Sequence, residues 1–224
     1  MADGGTTTRR AVENALRVIT FDSPDWIPVS LPTYNIQFGS PKRQEEDSSG
    51  RHVDMWGVAR WREHDGPGGA AYAGSLSSPS DLASFRWPDP DDERICGPIY
   101  EQAERFPGGD RWISGWHGCL IWELAYPMVG MENLLMYFLA EPAFVHELFD
   151  GLVEFHLGIA RHYAKAGVTS TGFSDDLATQ AGPFFSEDIL EEFFKPAYKK
   201  VYDFYTERNI IVGQHCDGNV LPLI

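Results

Sequence analysis

The chain has 224 residues, of which 43% are hydrophobic and 13% aromatic, and 33 acidic against 18 basic residues give a formal net charge of −15. This composition is typical of a folded globular protein with a full core, and it excludes extended disorder. An acidic chain without a cluster of lysines and arginines repels phosphates and anionic headgroups. Neither nucleic acid nor a membrane surface is therefore an expected partner.

Residues 112–122 form the longest uncharged apolar stretch, which is shorter than the roughly 18 residues that a membrane-spanning helix needs. Residues 1–20 also lack the pattern of a secretory signal. The three cysteines, Cys96, Cys119 and Cys216, show no C-x-x-C spacing, which favours reduced thiols over a disulfide framework. We therefore expect a cytoplasmic protein.

The first half of the chain predicts one helix and two short strands. Apolar residues recur at helical spacing after residue 10 and predict a short amphipathic helix; they are Val12, Ala15, Leu16 and Ile19. Residues 26–31 and 53–61 are rich in apolar side chains and predict strands, with a polar loop over residues 39–50 between them. A glycine- and proline-rich break follows at residues 66–69.

The second half predicts alternating strands and helices. Strands are predicted from residue 112, over 168–173 and over 210–213, and a loop is expected to follow the first of them up to residue 126. Helices are predicted over 131–139, from Pro142 to a C-cap at Gly167, and from an N-cap at Ser186 with a kink at Pro196. This alternation is typical of parallel α/β folds, either a barrel or a doubly wound sheet, whose ligands bind at the carboxyl ends of the strands.

Polar residues follow the last predicted strand in the order His215, Cys216, Asp217, Gly218, Asn219. Side chains two positions apart on a strand point the same way, so His215 and Asp217 can converge on one ligand or metal ion while Cys216 points elsewhere. A hydrogen-bonded pair that shapes the loop is the competing interpretation.

Asp175 and Asp176 end the preceding strand, and Gln180 follows four residues later. Adjacent carboxylates can bind a divalent cation, and their mutual repulsion can raise one pKa. A helix-capping or loop role is the competing interpretation.

The aromatic segment 112–126 offers Trp116 as a stacking surface and His117, Glu123 and Tyr126 as acid or base groups. An aromatic stripe of this kind also serves as core. The chain lacks G-x-G-x-x-G, P-loop, H-E-x-x-H and G-x-S-x-G motifs, which excludes the usual nucleotide-binding, zincin and serine-hydrolase sites.

Three segments together resemble the uroporphyrinogen decarboxylase and cobalamin-dependent methyltransferase superfamily: DDLATQAGPFFS at 175–186, EEFFKP at 191–196 and HCDGN at 215–219. Residues 9–29 and the VDMWGV block at 53–58 resemble its N-terminal signatures. The resemblance implies an incomplete TIM-type (β/α)8 barrel of about five β/α units over residues 7–224, behind a flexible tail of residues 1–6. It also implies a truncated or split member, which a second chain would complete.

Similarity to the corrinoid methyltransferase branch implies a metal site on His215 and Asp217, with Asp217 standing where that branch has a cysteine ligand. Zinc or another divalent metal would bind there, and a corrinoid or a corrinoid protein would donate or accept the methyl group of a small methylated substrate. His215 and Asp176 would then be catalytic, and the substrate-binding residues would be Asp175, Gln180, Trp116, His117, Glu123 and Asn219.

Similarity to the decarboxylase branch implies a cofactor-free reaction in which Asp54 and Tyr126 act on a tetrapyrrole. The arginine-rich loop that such a carboxylated substrate needs is absent from residues 31–50, so the methyltransferase interpretation is preferred. A corrinoid- or tetrapyrrole-binding module without catalysis, or an inactive fragment, remains as an alternative.

Overall fold

The structure is a computed structural model that describes residues 4–28, 31, 33–61, 70–106 and 111–223. The helices are α1 (Gly4–Ile19), α2 (Glu93–Glu104), α3 (Trp122–Val129), α4 (Met131–Ala140), α5 (Pro142–Ala166), α6 (Glu187–Ile189) and α7 (Lys195–Thr206). The strands are β1 (Thr33–Gln37), β2 (Arg51–Val53), β3 (Ala59–Trp61), β4 (Ala70–Ala73), β5 (Trp112–Cys119), β6 (Ser170–Ser174) and β7 (Ile211–His215). The first helix begins at Gly4, inside the segment expected to form a tail.

Four strands form a parallel sheet in the order β1-β5-β6-β7, with helices connecting β5 to β6 and β6 to β7. Strands β1 and β7 stand at its two edges and do not pair with each other, so the described residues form an open sheet and not a closed barrel. The prediction of an incomplete parallel β/α architecture is thus confirmed, with four parallel strands in place of about five units.

The core lies between this sheet and helices α5 and α7. Helix α5 turns a continuous apolar face inward, on which Leu148, Leu152 and Ile159 are fully buried. Gly115 of β5 allows this close approach, because a Cβ atom there would lie 2.7 Å from the ring of Tyr163. The Tyr163 hydroxyl donates to the Trp116 carbonyl at 2.7 Å and accepts from the Phe38 N–H at 3.1 Å. It therefore ties α5 to the ends of β1 and β5.

The predictions for α5 and for the helix beginning at Ser186 are confirmed. Gly167 ends α5 in a left-handed conformation, with φ of 78°, as a C-cap glycine should. The Ser186 hydroxyl accepts from the Ile189 N–H at 3.5 Å and begins α6. A π-helical turn at Leu190–Phe194 then joins α6 to α7 just before Pro196, where the proline ring would clash with a regular helical carbonyl.

Two predictions for the first half are wrong. Trp26, Ile27 and Pro28 lie outside any strand, and Ile27 is 82% exposed; Pro28 lacks the N–H that a buried strand would need. Residues 29 and 30 lie outside the described residues. The first strand of the sheet is instead Thr33–Gln37.

The predicted strand over 53–61 is two strands. Asp54 accepts hydrogen bonds from the N–H groups of Trp56 and Val58, both at 2.9 Å, and the chain turns back at Gly57 with φ of 77°. Strands β2, β3 and β4 form a separate antiparallel sheet. The glycine- and proline-rich break at 66–69 lies outside the described residues.

The segment after β5 also differs from the prediction, since α3 begins at Trp122 where a loop was expected. The backbone N–H groups at its start donate to the carboxylate of Asp175, the residue that follows strand β6. The short helix predicted over 131–139 is confirmed as α4.

Candidate functional site

The carboxyl ends of β5, β6 and β7 bring the predicted polar residues to one edge of the sheet. The strand register places Cys119 beside Ser174, and Ser174 beside His215. The residues that follow these three strand ends therefore meet above the sheet. This is the edge at which parallel α/β proteins bind their ligands.

Asp176, His215 and Asp217 form a cluster at this edge. Their donor atoms all lie within 4.8 Å of one another. The His215 Nε2 atom is 3.5 Å from Asp217 Oδ1 and 4.0 Å from Asp176 Oδ1. The Asp217 N–H donates to Asp176 Oδ1 at 2.7 Å, which fixes the two strand-end loops to each other. One nitrogen and two carboxylates therefore face a common point open to solvent.

Cys216 points away from this cluster, as the alternation along the strand predicts. Its Sγ atom accepts from the Leu177 N–H at 3.3 Å, and its side chain packs against the core. Burial is the main cause that raises the pKa of the Cys216 thiol. Cys216 is therefore held as a neutral thiol outside the cluster.

Asp175 is fully buried and does not face the cluster. Its carboxylate accepts from the Ile121 N–H at 2.7 Å, the Glu123 N–H at 2.9 Å and the Tyr198 hydroxyl at 2.9 Å. Burial raises the pKa of Asp175 to about 6 although these hydrogen bonds favour the charged form. The capping interpretation thus describes Asp175, and the structure gives it no direct path to a substrate.

Glu123 and Tyr126 lie on α3, beside the cluster. The Glu123 carboxylate accepts from the Asp176 N–H and from the Ser174 hydroxyl, both at 3.2 Å. Burial first, and then the charge of Glu123, raise the pKa of Tyr126, so its phenol keeps its proton. Tyr126 can therefore donate a hydrogen bond at this edge.

A cavity of about 200 Å³ lies at the carboxyl ends of β1 and β5. Trp116, Cys119 and Met55 line it, together with two buried histidines, His117 and His156. Burial raises the pKa of Cys119 to about 12, so this thiol is neutral. The cavity walls are therefore mostly apolar and uncharged.

The two histidines belong to a buried hydrogen-bonded chain. His117 Nδ1 lies 3.0 Å from His156 Nδ1, and His117 Nε2 lies 2.6 Å from the Tyr205 hydroxyl. Burial lowers the pKa of His156 to about 3 and holds that of His117 well below its ordinary value. Both imidazoles are therefore neutral, and His117 is a cavity-wall residue rather than an acid or base of the cluster.

The Asp54 carboxylate forms hydrogen bonds within the hairpin of β2 and β3. Besides the two N–H groups of the turn, its carboxylate accepts from Arg60 Nε at 2.6 Å. Of the remaining predicted residues, Gln180 is exposed, and Asn219 donates its backbone N–H to the Thr179 carbonyl at 2.8 Å.

Two residues of this region were not predicted from the sequence: His156, which lines the cavity, and Arg60, whose charge acts on Cys119 and Tyr126. His156 falls on the apolar face of α5 together with Leu152, Phe155 and Ile159, and this spacing is the signal that it faces the sheet. The charge of Arg60 acts on Cys119 and Tyr126, but its position depends on the hairpin that was predicted as a single strand.

A sequence profile of the uroporphyrinogen decarboxylase (URO-D) family matches residues 64–224. Among solved structures, a methyltransferase from Methanosarcina mazei is similar in fold, with a TM-score of 0.55 and 19% sequence identity. The similarity covers 69% of this chain and 44% of that chain, so the present chain spans less than half the length of that methyltransferase. No curated protein sequence matches this chain significantly.

No helix in the described part of the chain combines the length and the apolar character that crossing a bilayer requires. The family profile spans well over half of the chain, and it includes β5, β6 and β7, the three strands whose carboxyl ends bring the site residues together. This chain belongs to the uroporphyrinogen decarboxylase family.

Proposed function

We propose that this protein is a methyltransferase-type member of the family, which acts on a small methylated compound with a corrinoid or a corrinoid protein as methyl donor or acceptor. A divalent metal ion would bind Asp176, His215 and Asp217. The observation that carries this proposal is the convergence of three donor atoms within 4.8 Å at the carboxyl edge of β6 and β7.

The donor set fits a metal ion that accepts nitrogen and oxygen ligands. With metal–ligand bonds of about 2.1 Å, two ligands of a tetrahedral ion lie about 3.4 Å apart. The separations of 3.5 Å and 4.0 Å between His215 and the two carboxylates are close to that spacing. The set does not fit a zinc–thiolate site, because Asp217 stands at the thiolate position and Cys216 is turned toward the core.

A bound divalent ion would supply Lewis acidity and lower the pKa of a coordinated thiol or water. The chain's own residues would position it: the Asp217 N–H and the Glu123 carboxylate orient Asp176 and its loop. Tyr126 would donate a hydrogen bond to the substrate, and the adjacent cavity of about 200 Å³ would accommodate a small apolar group.

The cofactor-free decarboxylase alternative has less support from the site. That alternative needs the Asp54 carboxylate to accept pyrrole N–H groups, yet two backbone N–H groups and Arg60 already occupy it. Releasing these partners would leave buried donors unsatisfied at a cost of about 1–3 kcal/mol each.

The test is the visible spectrum of methylcobalamin mixed with the protein, a divalent metal and a panel of small thiols. We expect demethylation that requires added metal, that is lost in His215→Ala, and that is retained in His146→Ala, an exposed histidine on α5 that serves as the matched control. Saturable cobalamin binding without demethylation would instead indicate a binding module. Decarboxylation of uroporphyrinogen without metal would overturn the proposal in favour of the decarboxylase alternative.

A further inference from the structure

Two arginines, Arg43 and Arg86, lie side by side on the loops that flank the antiparallel sheet. The Arg43 guanidinium donates from Nε to the Met55 carbonyl at 2.9 Å and from Nη2 to the Arg86 carbonyl. It also lies 5.1 Å from the centre of the Phe85 ring. These contacts hold Arg43 in place without neutralising its charge.

Within the described ranges, no carboxylate forms an ion pair with Arg43 or Arg86, although the chain carries a net charge of −15. The negative charge of Asp54 acts on Arg43, but Asp54 already pairs with Arg60 at 2.6 Å. Burial lowers the pKa of Arg43, and the positive charge of Arg86 lowers it further. Two like charges are therefore kept adjacent with an excess of acidic groups elsewhere in the molecule.

A hydroxyl group without a partner lies beside them. The Ser75 Oγ atom is buried and forms no hydrogen bond. Ser75 and Arg43 both approach Gly57, where a Cβ atom would lie 3.1 Å from Ser75 Cβ and 3.1 Å from Arg43 Nη1. Leaving a buried hydroxyl unpaired costs free energy, which a ligand oxygen would recover.

Arg43, Arg86 and Ser75 line one groove of about 530 Å³, together with Ser84 and Asp81. The Asp81 carboxylate is already engaged, since its Oδ2 atom accepts from the N–H groups of Ser77 and Ser78 at 2.8 Å and 2.9 Å. The Ser84 hydroxyl is also engaged, since it donates to the Asp81 carbonyl at 3.2 Å. The groove thus offers two guanidinium groups and the unpaired Ser75 hydroxyl as donors. Such a donor set suits an oxyanion, because guanidinium groups pair with phosphate or carboxylate oxygens.

We propose that this groove is a binding site for the oxyanion group of a small molecule, a phosphate or a carboxylate, held by Arg43 and Arg86 with Ser75 as an additional donor. The site is built from the loops around β2, β3 and β4 and shares no residue with the Asp176, His215 and Asp217 cluster. Substitutions at Arg43, Arg86 or Ser75 therefore leave the three residues of that cluster unchanged.

Isothermal titration with inorganic phosphate, sulfate and acetate at constant ionic strength tests the proposal. We expect saturable binding with a dissociation constant in the millimolar range, and the preferred anion distinguishes a phosphate from a carboxylate ligand. Arg86→Gln should weaken binding at least tenfold, and Ser75→Ala about threefold. Lys199→Gln removes one positive charge from an exposed ion pair on α7 and should change the dissociation constant less than twofold.

Arg86 is exposed, so Arg86→Gln should keep the melting temperature of the parent protein, and this is checked first. Absence of saturable heat with all three anions would overturn the proposal. Equal affinity in the parent and in Arg86→Gln would also overturn it, because the anion would then bind elsewhere.

Discussion

At the scale of single residues, the buried pair His117 and His156 makes stability depend on pH. Both imidazoles are neutral in the folded state, with the pKa of His156 lowered to about 3 by burial. In the unfolded chain each would take up a proton below about pH 6.5. Acid therefore favours the unfolded state through these two groups.

Asp175 acts in the opposite direction. Its folded pKa of about 6 lies above the unfolded value of 3.8, so the folded state binds its proton first as the pH falls from 6 to 4. Each group changes the free energy of unfolding by about 1.4 kcal/mol per pH unit within its window. His156, with a folded pKa of about 3, therefore lowers the free energy of unfolding by about 1.4 kcal/mol for each pH unit between pH 6 and pH 4. Asp175 offsets a loss of similar size, and His117 acts in the same direction as His156.

Urea unfolding at several pH values measures this slope. In His156→Leu one of the two histidines no longer titrates, so we expect the slope between pH 6 and pH 4 to become less steep by about 1.4 kcal/mol per pH unit, whatever the absolute stability of the variant. An unchanged slope in His156→Leu would show that His156 is already protonated, or exposed, in the folded protein.

At the scale of elements, Asp175 joins strand β6 to the beginning of helix α3. Its carboxylate satisfies the N–H groups of Ile121 and Glu123, which a helix start leaves without partners. We expect Asp175→Ala to lower the free energy of unfolding by about 3 kcal/mol, because several buried donors lose their acceptor at once. Urea denaturation at pH 7 measures the loss.

Asp217→Ala is the matched control, since it removes a carboxylate from the same edge of the sheet whose side chain is 76% exposed. Its effect on stability should stay within about 0.5 kcal/mol. If both variants lose the same stability, Asp175 does not have the capping role described here.

The elements that the sequence predicts correctly are those governed by local signals. Gly167 ends α5 and Ser186 begins α6 because each acts on a backbone group within a few residues. The failures depend on distant or reciprocal contacts. The Ile121 and Glu123 N–H groups that Asp175 accepts from lie 54 and 52 residues away along the chain. At Asp54, the turn forms because the side-chain carboxylate accepts from the Trp56 N–H, a hydrogen bond that a continuous strand would make to a neighbouring strand.

In the candidate site, too, features set by local signals could be predicted and features set by distant contacts could not. Asp176, His215 and Asp217 could be predicted because each lies at or just after the end of a parallel strand, and parallel strands bring their carboxyl ends together. The orientation of Cys216 followed from strand alternation. Two contacts could not be predicted from the sequence, because each joins residues that are far apart along the chain. Arg43 and Arg86 are 43 positions apart, and His117 and His156 are 39 positions apart.

At the scale of the whole molecule, β1 and β7 are the two edges of the parallel sheet, and neither pairs with a further strand among the described residues. Exposed parallel edges are templates for pairing with another chain. We expect the 224-residue chain to self-associate, with β7 of one copy beside β1 of another, and light scattering after size-exclusion chromatography measures its mass.

Gly213 on β7 is exposed, and a Cβ atom there meets only the Thr171 carbonyl oxygen at 3.7 Å. A lysine side chain at this position therefore fits in the monomer and places a positive charge on the edge strand. We expect Gly213→Lys to reduce the fraction of the protein that self-associates. A monodisperse monomer of the parent chain with a cooperative melt would contradict the expected association.

The assignment of a nitrogen and oxygen ligand set to Asp176, His215 and Asp217 is tested most directly by titrating the protein with Co²⁺ and recording its absorption spectrum. We expect one Co²⁺ to bind without a sulfur-to-cobalt charge-transfer band, the binding to be lost in Asp217→Ala, and the band to appear in Asp217→Cys. A charge-transfer band in the parent protein would mean that a thiol coordinates the ion. Unchanged Co²⁺ affinity in Asp217→Ala would show that the metal does not bind this cluster.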